Sequence, residues 1–236
     1  MIQHPIESGK PYAVIALNYI LPKFLPQIWE SAKLRICADG GANRVLKHFK
    51  TIGQTNYKFP QYIIGDLDSI QNDTRDFLTS KGTEFVKIYN QDYNDAEKTL
   101  LFLKDIKNKY PLVILGGLGG RFDQSAQSLS VALKYSNTFD LFFLDDHNFM
   151  TWILPKHSKI LTPRKMTTDI CGLLPVAGPV RHIKTSGLKW DVDYSLKLGT
   201  FISSSNEITK DCVQVKTSDP ILWMNETKLS GIIPVK

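Results

Sequence analysis

The feature that most constrains the fold is a regular alternation, up to about residue 147, of short apolar runs with amphipathic stretches. The runs are YAVIAL (12–17), LRICA (34–38), QYII (61–64), EFVKI (84–88), PLVIL (111–115) and DLFFL (140–144). The clearest amphipathic stretches, 94–110 and 122–136, repeat apolar residues at helical spacing. Continuous apolar strands that alternate with helices are typical of a doubly wound, mostly parallel α/β sheet.

From about Phe149 the pattern changes, because helical periodicity gives way to short β-prone runs separated by prolines and glycines. These runs are WILP (152–155), DICGLLP (169–175), VRHIKTS (180–186), GTFISSS (199–205), CVQVKTS (212–218) and GIIPV (231–235). They predict an antiparallel β-sandwich, with an open barrel as the alternative. We therefore expect two domains, 1–147 and 148–236, that pack without a flexible linker.

Composition excludes several classes of function. The net charge of +6 over 236 residues is mild, and the lysines are spread without an arginine-rich stripe, so nucleic-acid binding is not expected. No apolar run is long enough to cross a bilayer, and the first residues lack the apolar core of a signal peptide. The three cysteines are scattered, which fits a reducing compartment. We expect a cytoplasmic protein that does not interact with membranes.

Acidic residues follow four consecutive predicted strands. These residues are Asp39, Asp66, Asp68, Asp92, Asp95 and Asp123. The carboxyl ends of parallel strands meet at the edge of the sheet where ligands bind. Carboxylates gathered there repel one another unless a cation offsets them, and hard oxygen ligands favour Mg²⁺. The sequence therefore predicts a magnesium site at this edge.

The stretch IIGDLDSI (63–70) places Asp66 and Asp68 two residues apart. In an extended chain such residues point to the same side, so we expect a positive charge between them, namely Mg²⁺. Single aspartates after strands are often helix N-caps instead, and this simpler interpretation fits Asp39 and Asp95.

Glycines in two loops predict phosphate binding. DGGAN (39–43) places Gly40 and Gly41 between a strand and a helix, where backbone N–H groups favour an anion. GGLGGRFD (116–123) repeats the pattern and adds Arg121, which can clamp a phosphate or form only a local ion pair with Asp123. Neither loop is a Walker A or Rossmann fingerprint. The residues together indicate a Mg²⁺-dependent enzyme that acts on a nucleotide phosphate, and they leave the acceptor open.

Several motifs in order resemble thiamine pyrophosphokinase of the eukaryotic type. They are CADGGAN (37–43), IIGDLDSI (63–70), NQDYNDAEKTL (90–100), LGGLGGRFDQ (115–124), SGLKW (186–190), GTFISSSN (199–206) and DPILW (219–223). The resemblance covers nearly the whole chain. It implies transfer of the diphosphoryl group of ATP to the hydroxyethyl group of thiamine with release of AMP. It also implies an α/β domain followed by a β-sandwich, and a homodimer.

The resemblance further implies four sets of site residues. The catalytic set is Asp66, Asp68, Asp95, Arg121 and Asp123. The metal-binding set is Asp39, Asp66, Asp68 and Asp95. The ATP-binding set is Asp39, Gly40, Gly41, Asn43, Gly116, Gly117, Gly119, Gly120 and Arg121. The thiamine-binding set is Gln91, Asp95, Asp123, Trp190, Ser203, Ser205 and Asn206. The role of Asp92 stays open, as does the choice between Asp95 and Asp123 as the acceptor of the hydroxyl proton.

Alternatives remain for individual residues and for the function. Without the resemblance, Trp190 is better explained as a core residue of the β-domain, and SSSN (203–206) as a polar turn. An Asp-x-Asp pair at a strand end also serves metal-dependent glycosyltransferases that use nucleotide sugars. A third possibility is a sensor that binds a nucleotide or thiamine without turnover, although a sensor does not require Arg121 and the full set of acids.

Overall fold

The computed structural model describes residues 1–156, 159–162 and 165–228. Its contacts divide the chain into an α/β unit, Pro11–Leu141, and a β unit formed by Met1–Lys10 and Phe142–Lys236. The first ten residues thus group with the second half of the chain, where the sequence-based division placed them with the first. The predicted strand GIIPV (231–235) lies outside the described residues.

The helices are α1 (Leu25–Ser31), α2 (Gly41–Thr51), α3 (Asn72–Ser80), α4 (Asp95–Asp105) and α5 (Phe122–Tyr135). The strands are β1 (Ile2–Gln3), β2 (Ala13–Ala16), β3 (Leu34–Ala38), β4 (Tyr62–Gly65), β5 (Glu84–Lys87), β6 (Leu112–Leu115), β7 (Leu141–Leu144), β8 (Asn148–Ile153), β9 (Lys159–Leu161), β10 (Thr167–Leu174), β11 (Val180–Ser186), β12 (Asp193–Leu196), β13 (Ser203–Glu207), β14 (Cys212–Thr217) and β15 (Ile221–Thr227).

The α/β unit is built on parallel strands in the order β6-β2-β3-β4-β5. Strands β2 and β6 are buried along their whole length, as their unbroken apolar sequences predict. The chain proceeds from β2 outward to β5 and then returns to β6 on the other side of β2. This reversal creates a crevice at the carboxyl ends of β2 and β6, which is where open α/β sheets bind ligands.

Helix α4 follows the predicted periodicity but ends earlier than predicted. Leu100 and Leu103 are buried, whereas Ile106 lies just beyond the helix and is exposed. Lys107 adopts a left-handed φ of 53°, a conformation that terminates helices. Within the part of the chain that the structure covers, no helix is both long and apolar enough to cross a bilayer.

The β unit contains two sets of mainly antiparallel strands. One set has the order β1-β9-β14-β11-β12, and the other contains β13-β10-β15-β8-β7. Along β14 the buried residues Val213, Val215 and Thr217 alternate with exposed Gln214 and Lys216. This alternation covers one face of the strand and leaves the other in water, as in a sandwich. The predicted α/β domain followed by an antiparallel β-sandwich is confirmed.

Candidate active site

Three of the six predicted acids meet at the carboxyl edge of the parallel sheet. Asp39 follows β3, Asp66 follows β4, and Asp95 is the first residue of α4. One carboxylate oxygen from each lies within 4.8 Å of the others. The cluster therefore arises directly from the parallel topology, which delivers neighbouring strand ends to one place.

Asp39 is the most deeply buried member of this cluster. Its Oδ2 accepts a hydrogen bond from the Ser69 backbone N–H at 3.1 Å, whereas its buried Oδ1 has no hydrogen-bond partner. Burial, together with the nearby carboxylates of Asp95 and Asp68, raises the pKa of Asp39 to about 6. An unpaired buried carboxylate oxygen beside two other carboxylates is a donor that suits a hard divalent cation.

A lysine that the sequence reasoning missed lies between two of the acids. The Lys98 ammonium, only 2% exposed, lies 2.8 Å from Asp66 Oδ2 and 3.3 Å from Asp95 Oδ1. Hydrogen bonding to Lys98 lowers the pKa of Asp66. The available signal was the spacing in NDAEK, which places Lys98 one helical turn after Asp95.

The predicted geometry of the Asp66–Asp68 pair is wrong. Leu67 has a left-handed φ of 64°, so the segment is not extended and the two-residue rule for side-chain direction does not apply. The Arg75 guanidinium holds this turn by donating to the Leu67 carbonyl at 3.1 Å. Asp68 is exposed, and its Oδ1 accepts from the Ser69 hydroxyl at 2.9 Å. The protein's own positive charge thus bridges Asp66 to Asp95, not to Asp68.

The alternative assignment of Asp39 and Asp95 as helix caps is also wrong. Gly40 occupies the cap position of α2. At α4 the cap is Asn94, whose Oδ1 accepts from the Glu97 backbone N–H at 2.8 Å. Both aspartate side chains are consequently available for the cluster.

Gly65, the last residue of β4, permits the acids to come this close. A Cβ atom at this position would lie 2.8 Å from the Cβ of Asp39 and 3.1 Å from Oδ1 of Asp95. Both distances are shorter than ordinary van der Waals contact, so any side chain at residue 65 would push the cluster apart.

The glycines of DGGAN serve close packing. A Cβ on Gly41 would lie 2.2 Å from the Ala16 carbonyl oxygen, and one on Gly40 would lie 2.3 Å from Nδ2 of Asn18. The start of α2 is therefore pressed against the end of β2. Asn43 links α2 to the loop after β4, donating to the Ser69 carbonyl and accepting from the Gln71 N–H.

A cleft of about 310 Å³ lies in the crevice between β2 and β6. Four of the predicted ATP-binding residues line it, namely Gly116, Gly117, Gly119 and Arg121. The other five, Asp39, Gly40, Gly41, Asn43 and Gly120, do not. The sequence reasoning missed further polar lining residues, including Asn18, Tyr19, Gln124 and Gln127. Asp95 also lines this cleft, so it joins the carboxylate cluster to the glycine-rich loop.

Arg121 and Asp123 form an exposed ion pair at the start of α5. The Arg121 guanidinium makes two contacts with the Asp123 carboxylate, at 3.1 and 2.5 Å. Arg121 lowers the pKa of Asp123. Asp123 lies outside the cluster of three acids, as do the exposed residues Gln91 and Asp92 in the loop before α4.

In the β unit, Trp190 is not a core residue, because 56% of it is exposed. Asn206 is buried and holds the Trp190 backbone from both sides, accepting from its N–H at 3.2 Å and donating to its carbonyl at 2.8 Å. Asn206 also donates to the Ser203 hydroxyl and accepts from the Glu207 N–H, so its side chain has a full set of partners. Asn206 and Ser203 thus support Trp190.

The SSSN segment forms strand β13 instead of the alternative polar turn. Ser205 is exposed at a left-handed φ of 53°. The Lys189 ammonium lies 4.8 Å from the centre of the Trp190 ring, so this ring already contacts a cation.

Comparison with known proteins decides the family. Residues 25–143 match the thiamin pyrophosphokinase catalytic domain, and residues 157–222 match the vitamin B1 binding domain of the same enzyme. Thiamine pyrophosphokinase 2 of Arabidopsis thaliana is 34% identical over 95% of this chain and 89% of its own length. The chain belongs to the thiamine pyrophosphokinase family.

Other members of the thiamine pyrophosphokinase family agree in sequence and in fold. The Saccharomyces cerevisiae thiamine pyrophosphokinase is 28% identical over 98% of this chain and 89% of its own length. The crystal structure of yeast thiamin pyrophosphokinase superposes with a TM-score of 0.83 at 23% identity, covering 98% of this chain and 92% of that one. The family predicted from the motifs is confirmed, and with it the prediction of a diphosphotransferase enzyme.

Proposed function

We propose that this chain transfers the diphosphoryl group of ATP to the hydroxyethyl group of thiamine, giving thiamine diphosphate and AMP. Membership of the thiamine pyrophosphokinase family, in both the catalytic and the vitamin-binding part, supports this activity. The observation that carries it is the double role of Asp95, which belongs to the acid cluster and lines the glycine-rich cleft. A polyphosphate in that cleft would extend to the carboxylates.

The acid cluster suits Mg²⁺ as the metal that accompanies ATP. Asp39, Asp66 and Asp95 supply hard oxygen ligands, and the unpaired Asp39 Oδ1 has the chemistry that such an ion needs. Asp68, at the exposed edge, completes the proposed set. Mg²⁺ held there would offset the negative charge of the phosphates as the bond to AMP breaks.

The chain itself positions the polyphosphate. The glycines of the 116–120 loop let the backbone approach the phosphates, and the Arg121 guanidinium at the rim can exchange Asp123 for a phosphate oxygen. The thiamine hydroxyl oxygen attacks the β-phosphorus, and the bond from that phosphorus to the oxygen of AMP breaks.

Asp95 and Asp123 are the two candidates for accepting the hydroxyl proton. The Arg121 hydrogen bonds lower the pKa of Asp123, and Mg²⁺ bound to the acid cluster would lower the pKa of Asp95 in the same way. The pKa values therefore favour neither carboxylate as the base.

Thiamine binding involves the β unit in this proposal. Trp190 presents an exposed ring face that already accommodates a cation, so it can stack on the positively charged thiazolium. Gln91, Ser203, Ser205 and Asn206 complete the proposed thiamine side, with Asn206 acting through Trp190. We also propose a homodimer, and a cytoplasmic location in keeping with three free cysteines.

The test is turnover of thiamine by the purified protein with ATP and Mg²⁺, compared with Asp66→Asn. Losing a metal-binding carboxylate should reduce turnover at least about a thousandfold, or about 4 kcal/mol of transition-state stabilisation. The matched control is Asp76→Asn, an exposed acid on α3, which should keep full activity. An Asp66→Asn variant with near-normal, Mg²⁺-dependent activity would refute the assigned site. Consumption of a nucleotide sugar, or binding of thiamine without turnover, would instead favour the glycosyltransferase or the sensor.

A further inference from the structure

The buried ammonium of Lys98 lies in the acid cluster, and the proposed chemistry assigns it no role. We propose that Lys98 is a positioning residue that acts as a tethered counter-ion. It holds Asp66 and Asp95 in place in the metal-free protein and keeps the free protein's affinity for a divalent cation low, so that the metal binds together with ATP. This inference rests on the proposed metal site.

The first support is the burial of the lysine. Lys98 is among the largest fully buried side chains, and a buried ammonium is stable only when it is paired. Its partners are the two carboxylates Asp66 and Asp95, which come from different elements, the end of β4 and the start of α4. Lys98 therefore links the strand to the helix at the cluster itself.

The second support is how the carboxylate oxygens are used. Asp39 Oδ2 accepts a hydrogen bond from the Ser69 N–H. Asp66 Oδ2 and Asp95 Oδ1 accept hydrogen bonds from the Lys98 ammonium. Each carboxylate thus has at least one oxygen fixed by a protein donor, and Asp39 Oδ1 has no hydrogen-bond partner. Ligands of metal ions are commonly oriented by such outer hydrogen bonds.

The third support is the charge. When Asp39, Asp66 and Asp95 are ionised, the Lys98 ammonium reduces their summed charge from −3 to −2, and the exposed Asp68 carboxylate adds one further negative charge at the edge. A fixed positive charge beside the ligands repels an incoming metal ion, and this repulsion is strong where water is excluded. ATP adds phosphate oxygens as ligands and supplies the negative charge that overcomes the repulsion.

The experiment measures Mn²⁺ binding to the nucleotide-free protein at pH 8, from the loss of the electron paramagnetic resonance signal of free Mn²⁺. Lys98→Met removes the charge and keeps most of the volume, and Lys98→Gln also keeps a hydrogen-bond donor. Both should bind Mn²⁺ at least about tenfold more tightly than the wild type, which corresponds to about 1.4 kcal/mol. The matched control is Lys104→Met on the exposed side of α4, which should bind as the wild type does.

Equal or weaker Mn²⁺ binding by both folded Lys98 variants overturns the proposal, since a purely structural lysine predicts no gain. The gain in Mn²⁺ affinity of Lys98→Met must also disappear when Asp66→Asn is added to it. If neither variant folds without metal, refolding in the presence of Mn²⁺ should restore the folded state, because the ion replaces the lost positive charge. Failure of this rescue overturns the proposal. Failure of the wild type to convert thiamine with ATP and Mg²⁺ counts against the proposed function alone, because Mn²⁺ binding is measured without either substrate.

Discussion

At the scale of single residues, Asp39 is a residue whose position in the cluster lowers the stability of the protein. Its carboxyl is buried, one oxygen has no hydrogen-bond partner, and its backbone adopts a left-handed φ of 40°. Residues other than glycine rarely hold such a conformation unless their surroundings enforce it, and such strain collects at functional sites. In the proposed site, a cation bound to Asp39 would offset a conformation that lowers the stability of the metal-free protein.

This cost predicts that Asp39→Asn stabilises the metal-free protein in a pH-dependent way. The pKa of Asp39 is about 6 in the folded state against 3.8 for the free side chain, so the folded protein binds this proton more tightly than the unfolded chain. Its ionisation therefore destabilises the fold as the pH rises from about 4 to 6, by up to about 3 kcal/mol. An asparagine does not ionise, so the Asp39→Asn variant should have a higher free energy of unfolding than the wild type above pH 6.

Urea unfolding in a chelator, from pH 4 to 8, measures this difference. The gain should be largest at pH 7 to 8 and should fall towards zero near pH 4. Asp76→Asn, on the exposed face of α3, should show no such trend. A gain of the same size at every pH would contradict the account.

The residue scale is also where sequence reasoning succeeded and failed for clear reasons. The meeting of Asp39, Asp66 and Asp95 follows from parallel topology, which apolar runs reveal. Lys98 was missed although its spacing in NDAEK places it one helical turn after Asp95, because spacing alone does not show that packing turns this lysine inward. The Asp66–Asp68 geometry failed because φ at Leu67 depends on tertiary contacts such as the one with Arg75.

At the scale of elements, α4 connects the site to the rest of the α/β unit. Its first turn carries Asp95 and Lys98 into the cluster, while Glu97 accepts from Lys134 at 2.6 Å and from the Tyr135 hydroxyl at 2.9 Å. Glu97 thus fixes α4 against α5, the helix that follows the glycine-rich loop. The two helices that flank the cleft are held in register by this contact.

The end of β4 gives a second prediction. Gly65→Ala introduces a methyl group against Asp39 and Asp95, so it should reduce thiamine turnover at least about a hundredfold, as expected when reacting groups are misplaced by about 1 Å. The control is Gly53→Ala, which has a left-handed φ of 69° and open space around it. It should lower the free energy of unfolding by about 1 kcal/mol and leave activity unchanged. If both variants lose only stability, Gly65 has no special role in the site.

Elements were predictable where packing leaves a pattern in the sequence. The buried parallel strands match their apolar runs within a residue or two, because both faces are covered. Strands β1, β9, β12 and β15 were not predicted. The first three have only two, three and four residues, so no apolar periodicity marks them. Strand β15 has seven residues and begins with the buried run ILW, a signal that the sequence analysis used only as part of a motif.

At the scale of the whole molecule, the proposed site residues belong to two different units of the chain. The carboxylates and the glycine-rich cleft belong to the α/β unit, and Trp190 with its support belongs to the β unit. If the chain forms the proposed homodimer, we predict that residues of both protomers contribute to each of two equivalent active sites.

Mixing two inactive variants tests this arrangement. Asp66→Asn is defective in the α/β unit, and Trp190→Ala is defective in the β unit without disturbing buried Asn206. In a mixed dimer one site collects both defects and the other collects neither. Random re-association makes half of the dimers mixed, so about a quarter of wild-type activity should return. Demonstrated subunit exchange with no recovery would show that each site belongs to one chain.

The central claim concerns which bond of ATP is broken, and ³¹P nuclear magnetic resonance of the reaction mixture tests it most directly. With thiamine, ATP and Mg²⁺, attack at the β-phosphorus yields AMP and thiamine diphosphate in equal amounts, and both sets of resonances should grow together. ADP appearing with thiamine monophosphate would mean attack at the γ-phosphorus, and it would contradict the account of this protein as a diphosphotransferase.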